Sequence, residues 1–114
     1  MIAVIFEVYP TEQGKDEYLA IAAGLRELLS GHPGFIAIDR FQSLSDEQKL
    51  LSVSYWEDEA AVQAWRNVAE HRLAQQKGKE RLFERYRILV TEVLRDYTAT
   101  ERAQAPADSN AALA

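Results

Sequence analysis

Two polar side chains in the second half of the chain could handle a proton and an anion. His71 carries an imidazole whose unperturbed pKa lies near neutrality, so it could act as a base, and Gln75 could donate its amide hydrogens to a developing oxyanion. Val68, His71, Gln75 and Gly78 follow at intervals of three, four and three residues, which sets them in one stripe of a helix facing one neighbour, expected to be the sheet. Trp65 lies six residues before His71, and Phe6, Phe41, Tyr55, Trp56 and Tyr86 could line an apolar aromatic pocket between helix and sheet. Such a pocket suits a flat hydrophobic ligand. Each residue has a plainer reading as well. His71 could be a capping or partly exposed helix residue bonded to Glu70 or to a backbone carbonyl. Trp56 and Trp65 could be core residues, because large aromatic groups dominate core burial whatever a protein does. Gly78 either allows close helix–sheet approach or marks a bend, since a glycine inside a helix costs about 1 kcal/mol against alanine. His32 sits in a turn without a partner at metal-ligand spacing and reads as structural or solvent-facing.

The elements that would position these residues can be read from periodicity. Ile2 to Tyr9 is rich in β-branched and aromatic residues and ends at Pro10, which cannot donate to a ladder, so it is the first strand. After a turn at 11–14, Tyr18, Ala22, Leu25 and Leu29 recur at helical spacing with Ile21 and Leu28 beside them. That helix stops at Ser30-Gly31-His32-Pro33-Gly34, where two glycines supply unusual backbone angles and Pro33 forbids continuation. Phe35 to Phe41 and Lys49 to Trp56 read as a hairpin of strands. Asp58 offers an N-cap oxygen for a second helical region with Val62 and Trp65 facing inward, a break near Asn67, and a further stretch from Val68 to Phe83. Arg87 to Tyr97 alternates strongly and reads as the last strand. The expected order is β-α-β-β-α-β, a ferredoxin-like α+β sandwich with both helices on one face of an antiparallel sheet, occupying residues 1–97. Residues 98–114 are small, polar and Ala-rich, and are expected to be a disordered tail.

Such a sandwich leaves one sheet face uncovered. In the first strand both the Ile2, Val4, Phe6, Val8 set and the Ala3, Ile5, Tyr9 set are largely apolar, which is wrong for a face in water. A self-complementary sheet-on-sheet homodimer is the simplest cover, giving a dimeric α/β barrel. Asp39 and Arg40 then require a partner for whichever faces a covered surface, and an ion pair at the dimer interface is the modest expectation, a substrate anchor the sharper one.

Composition narrows the classes further. At 114 residues the chain holds one core, and 47% hydrophobic with 27% charged residues is the balance of a folded soluble protein. A formal net charge of −5, with Lys and Arg interleaved among acids, disfavours nucleic acid and anionic membrane surfaces as partners. With no cysteine there is no disulfide, thiolate nucleophile or Cys-ligated metal. Met1 to Tyr9 lacks a basic n-region and contains Glu7, and no apolar run is long enough to cross a membrane, so the cytoplasm is the expected location. P-loop, GxGxxG, HExxH and GxSxG patterns are absent.

The Gly31-His32-Pro33-Gly34-Phe35 junction, the Ser54-Tyr55-Trp56-Glu57 strand end, Trp65, and Glu70-His71-Arg72 with Gln75 and Gly78 together resemble the antibiotic-biosynthesis-monooxygenase family over roughly residues 1 to 97. The resemblance implies a ferredoxin-like fold, pairing into a dimeric α/β barrel, and oxygenation of a small aromatic or quinol-type compound with O2 and no metal or organic cofactor. Such oxygenation needs a substrate that itself gives an electron to dioxygen, which a phenolate or stabilised carbanion does best, so a base at His71 and a donor at Gln75 would suffice. An apolar pocket would keep water from the oxygenated intermediate. Haem-degrading relatives are similar at Trp65, but their iron-ligating histidine corresponds to Gln75 here and their active-site asparagine to Glu7. An amide does not replace an imidazole on haem iron, which leaves His71 as a displaced ligand to support haem as the alternative cofactor. The third reading is a non-catalytic dimer that binds a small ligand.

Overall fold

The computed structural model describes residues 1–75 and 82–113, with the side chains of 70–75 also outside the description. The elements are β1 (Ile2–Pro10), α1 (Lys15–Leu29), β2 (Phe35–Gln42), β3 (Leu50–Trp56), α2 (Glu59–Gln75), β4 (Phe83–Glu92) and a short terminal helix α3 (Ala107–Leu113). The strands form one antiparallel sheet in the order β2-β3-β1-β4. This is the ferredoxin-like α+β fold read from the periodicity.

Local chemistry sets the boundaries. The Thr11 hydroxyl accepts a hydrogen bond from the Gly14 amide at 2.9 Å as the chain turns out of β1, and Asp16 and Glu17 place negative charge in the first turn of α1 where the helix dipole favours it. Asp58 caps α2 as expected, its Oδ1 accepting from the Ala61 amide at 2.9 Å. Of the two glycines after α1 only Gly34 takes a positive φ, at +82°, so the expectation of two unusual backbone angles holds for one. A Cβ at Gly34 would lie 2.5 Å from the Ala61 Cβ, so this turn sits directly against the start of α2.

Directly paired residues of antiparallel strands point to the same side of a sheet, so the register assigns the faces. Ile2, Val4, Phe6 and Val8 share one face with Trp56, Ser54, Ser52 and Leu50 of β3 and with Glu92, Val90, Ile88 and Tyr86 of β4. Both helices pack on this face. Tyr18 and Ala22 of α1 bury Val8 with Phe6, Leu50 and Phe83, while Leu29 of α1 and Val62 of α2 bury Trp56 with Ile2, Val4, Phe35, Ile38 and Trp65.

Two expectations are corrected. α2 runs unbroken from Glu59 to Gln75, without the break at Asn67, and the rest of the stretch expected to continue to Phe83 lies outside the described residues up to Leu82. The last strand is displaced toward the amino terminus, from 87–97 to 83–92. Phe83 is drawn into the aromatic cluster at 5.2 Å from Tyr18, and at the other end the pairing closes with the Val93 amide donating to the Met1 carbonyl. Residues 98–113 carry local hydrogen bonding and a short helix. Thr98 turns to Glu101, and the Arg102 guanidinium ties the turn to α3 through Asn110 and Ser109. No helix among the described residues is long and apolar enough to cross a membrane.

Candidate functional site

Two aromatic clusters stand at opposite ends of the helix-covered face. At the end where α2 begins, Trp56 is only 1% exposed, donates its indole N–H to the Ser54 hydroxyl at 2.9 Å, and lies 6.3 Å from Trp65 and 5.4 Å from Phe35, ring centre to ring centre. His32 sits edge-on to both tryptophans, at 5.9 and 5.6 Å, and its Nε2 is 3.2 Å from the Ala61 carbonyl oxygen. A hydrogen bond there puts the proton on Nε2 and leaves Nδ1 as the acceptor of the neutral ring. At the other end Phe6, Phe83, Tyr86 and Tyr18 meet edge to face at 5.2 to 6.3 Å. Burial pushes the Tyr18 phenol above its ordinary pKa, with the charge of Arg40 opposing.

Between the clusters part of the helix side of the sheet is left half exposed. Tyr86, Ile88 and Val90 of β4 point to the helix side yet remain half exposed. They form the apolar floor of a trough beside α2, and a cavity of about 240 Å3 lies at its α2-start end, lined by Glu59, Ala60, Val62, Gln63, Arg66 and Val90. A larger cavity of about 520 Å3 runs along α1, its described lining being Glu17, Ala20, Ile21, Gly24, Leu25, Glu27 and Leu28. An apolar floor with a few polar groups at the rim, here Gln63, Arg66 and Glu59, is the general form of a small-molecule site.

The residues expected to line one pocket are divided by the sheet. Phe6, Trp56, Trp65 and Tyr86 are on the helix side, with Tyr86 on the trough floor and Phe6 next to it. Tyr55 and Phe41 are on the other face, Tyr55 opposite Ala3 and Phe41 opposite Leu51, so they cannot join a pocket beneath the helices. The alternation of side chains along β3 forces this, because Tyr55 and Trp56 are neighbours and must point apart. His71 and Gln75 belong to the last turns of α2, their side chains outside the description, and Gly78 lies outside the described residues. His32, Ile88, Val90 and Arg66 were not expected at the site. The Gly31-His32-Pro33-Gly34 motif was the available signal for His32, but its contact with Ala61 crosses 29 residues of sequence.

The open face has its own electrostatics. Glu7 receives a hydrogen bond from Arg87 at 2.9 Å and an ion pair from Lys49 at 3.8 Å, while Arg85 stacks on the Tyr9 ring at 4.1 Å. The Arg87 hydrogen bond holds the Glu7 carboxyl below its ordinary pKa, partial burial opposes it, and the charges of Arg87 and Lys49 add to the lowering. Glu7 is therefore turned away from the trough. Arg40 points to the helix side, donating to the Ala22 carbonyl at 3.0 Å, and Asp39 accepts from the Arg40 backbone amide. Among the described residues no group of three or more His, Cys, Asp or Glu side chains is gathered as for a metal ion.

Comparison with known proteins adds the family. The antibiotic biosynthesis monooxygenase family pattern matches residues 1–77. The chain is 41% identical over 101 residues to a jasmonate monooxygenase of Pyricularia oryzae, covering 89% of this chain and 47% of that protein, so it spans about half the length of that relative. In fold it is similar to a solved Mycobacterium tuberculosis protein, with TM-score 0.72, 17% identity and coverage of 85% of this chain and 98% of the other. It is also similar to SnoaB, a cofactor-independent oxygenase from Streptomyces nogalater, with TM-score 0.68, 12% identity and coverage of 88% and 97%. At those identities the two structural likenesses establish fold alone.

Proposed function

The chain belongs to the antibiotic biosynthesis monooxygenase family, and from that premise we propose that it oxygenates a small ring compound of phenol or quinol type with O2, without a bound cofactor, in the trough between α2 and β4. The observation that carries this reading is the uncovered apolar floor of Tyr86, Ile88 and Val90 on the helix side of a sheet that is otherwise roofed. α2 runs antiparallel to β4 from the Val90 end, and nine residues of helix at about 1.5 Å each match four residues of strand at about 3.3 Å each. In this proposal that spacing sets the helix backbone at His71 level with Tyr86. His71 as base would convert the bound phenol into a phenolate, the electron donor that O2 needs, and Gln75 would stabilise the oxyanion. One oxygen atom ends as a quinone carbonyl and the other leaves as water, with the substrate supplying all four electrons.

A second substrate class is favoured by Arg66 at the rim together with the relative named for jasmonate: an apolar cyclic ketone bearing a carboxylate, held by the guanidinium. The working unit in this proposal is a homodimer that covers the open face of each sheet.

Oxygen uptake with a panel of naphthols, anthrone-type phenols and jasmonate tests the reading. Turnover on one class, reduced about 100-fold or more in His71→Ala with an unchanged circular dichroism spectrum, supports it. Equal turnover in His71→Ala overturns the catalytic role, and ligand binding without oxygen uptake leaves a binding protein. A shifted Soret band on adding haemin, decaying with reductant, would put the haem reading in its place.

A further inference from the structure

We propose that His32 is a positioning residue that fixes the tilt of α2 and, through it, the place of His71 over the trough, an inference that rests on the oxygenation reading above. The turn carrying His32 grips the start of α2 at several points. The His32 Nε2 donates to the Ala61 carbonyl oxygen at 3.2 Å, and the Gly34 backbone passes so close to Ala61 that a Cβ there would lie 2.5 Å from the Ala61 Cβ. The Glu57 amide, just before the helix, donates to the Gly34 carbonyl at 2.8 Å. His32 also stands edge-on to Trp56 of the sheet and to Trp65 of the helix, at 5.9 and 5.6 Å. One imidazole therefore touches turn, sheet and helix together.

The grip is confined to the beginning of the helix. Ala61, Val62 and Trp65 are the α2 residues that enter the core there, whereas Val68, further along, is exposed. In a regular helix the Ala61 carbonyl already accepts from the Trp65 amide, and a carbonyl oxygen has a second lone pair for the imidazole N–H. The bond from His32 thus ties the helix down without breaking its own ladder.

A helix held near one end acts as a lever. At about 1.5 Å per residue the backbone of His71, ten residues beyond Ala61, lies about 15 Å from the grip, so a tilt of about 4° shifts it by about 1 Å. Gln63 and Arg66 at the rim are nearer the grip and shift by half as much or less, while the floor of Tyr86, Ile88 and Val90 belongs to β4 and stays with the sheet. A misplacement of about 1 Å can cost about 100-fold in rate. Loss of the bond should therefore slow proton transfer at His71 far more than it weakens binding in the trough.

Variants of the full chain separate the hydrogen bond from the packing. His32→Phe keeps an aromatic ring against both indoles and loses the N–H, His32→Asn carries an amide too short to reach Ala61, and His32→Gln restores an amide N–H at about the reach of Nε2. Two quantities are compared with the native chain: oxygen-uptake kinetics on the naphthol or jasmonate that it turns over, and hydrogen exchange of the backbone amides from Val62 to Arg66. His32→Phe and His32→Asn are expected to lower kcat about tenfold or more with KM within about twofold, and to speed exchange about tenfold, while His32→Gln recovers most of both. Faster exchange with kcat unchanged makes His32 a packing residue and overturns the proposal. Unchanged exchange overturns the anchor itself, and a glutamine variant as impaired as the phenylalanine one overturns the part given to the hydrogen bond. A native chain that takes up no oxygen with any compound removes the oxygenation reading, and exchange alone then decides whether His32 holds the helix.

Discussion

β1 presents two apolar faces to two different fates. Its even-numbered residues, Ile2 to Val8, lie beneath α1 and α2 and share clusters with Trp56 and Tyr18. Its odd-numbered residues, Ala3, Ile5, Glu7 and Tyr9, point to the other side beside Val53, Tyr55 and Leu89, with no helix above them among the described residues. The first face is stabilised by a roof within the chain. The second has hydrophobic content without a helix over it among the described residues, so a substitution there should cost less stability than one on the first.

Substitutions on the two faces should therefore break different things. Trp56→Ala on the roofed side removes the largest fully buried side chain and should lower unfolding stability by about 3–5 kcal/mol, read from urea melts at one protein concentration. Gly34→Ala forces a Cβ onto Ala61 at a positive φ and should cost about 2 kcal/mol, visible as a lower Tm. Tyr55→Asp on the open face should leave the melt of the isolated chain within about 1 kcal/mol while weakening self-association at least tenfold by sedimentation. An equal loss of stability in Tyr55→Asp and Trp56→Ala would erase the distinction.

The smallest effect is in acid. Glu7 has its pKa lowered by Arg87, so its contribution is fully present above the ordinary carboxylate value of 4.5 and is lost as pH falls through the depressed folded value. Glu7→Gln should flatten the stability–pH curve below 4.5 and leave neutral pH nearly unaffected. A steeper acid limb in the variant would show that the carboxylate is not stabilised by its cations.

Much of the fold was legible because hydrophobic period and punctuation are local. Asp58 before a helical period, Pro10 as the last residue of a strand and the Gly-Pro turn at 31–34 act on neighbours in sequence, and each marks a boundary the structure keeps. The site was less legible because it depends on register. Tyr55 and Trp56 must point apart, but only the pairing of Ile2 with Trp56 decides which one meets the helices. The end of β4 was misread for a related reason, since its alternation continues past Glu92 while the strand it needs begins at Ile2. His32 was taken for a plain turn residue because Trp56, Trp65 and Ala61 come to it through the tertiary fold.

The Trp56–His32–Trp65 cluster also makes the protein an unevenly lit object. The chain has two tryptophans, and both stand at this one end, beside the first half of α2 and against the same imidazole. Intrinsic indole fluorescence therefore watches the seam between the Gly34 turn and α2, where a lifting of the helix would change the emission. It is nearly blind to the open face, so the spectrum would follow events in the trough and pass over a change on the other side of the sheet.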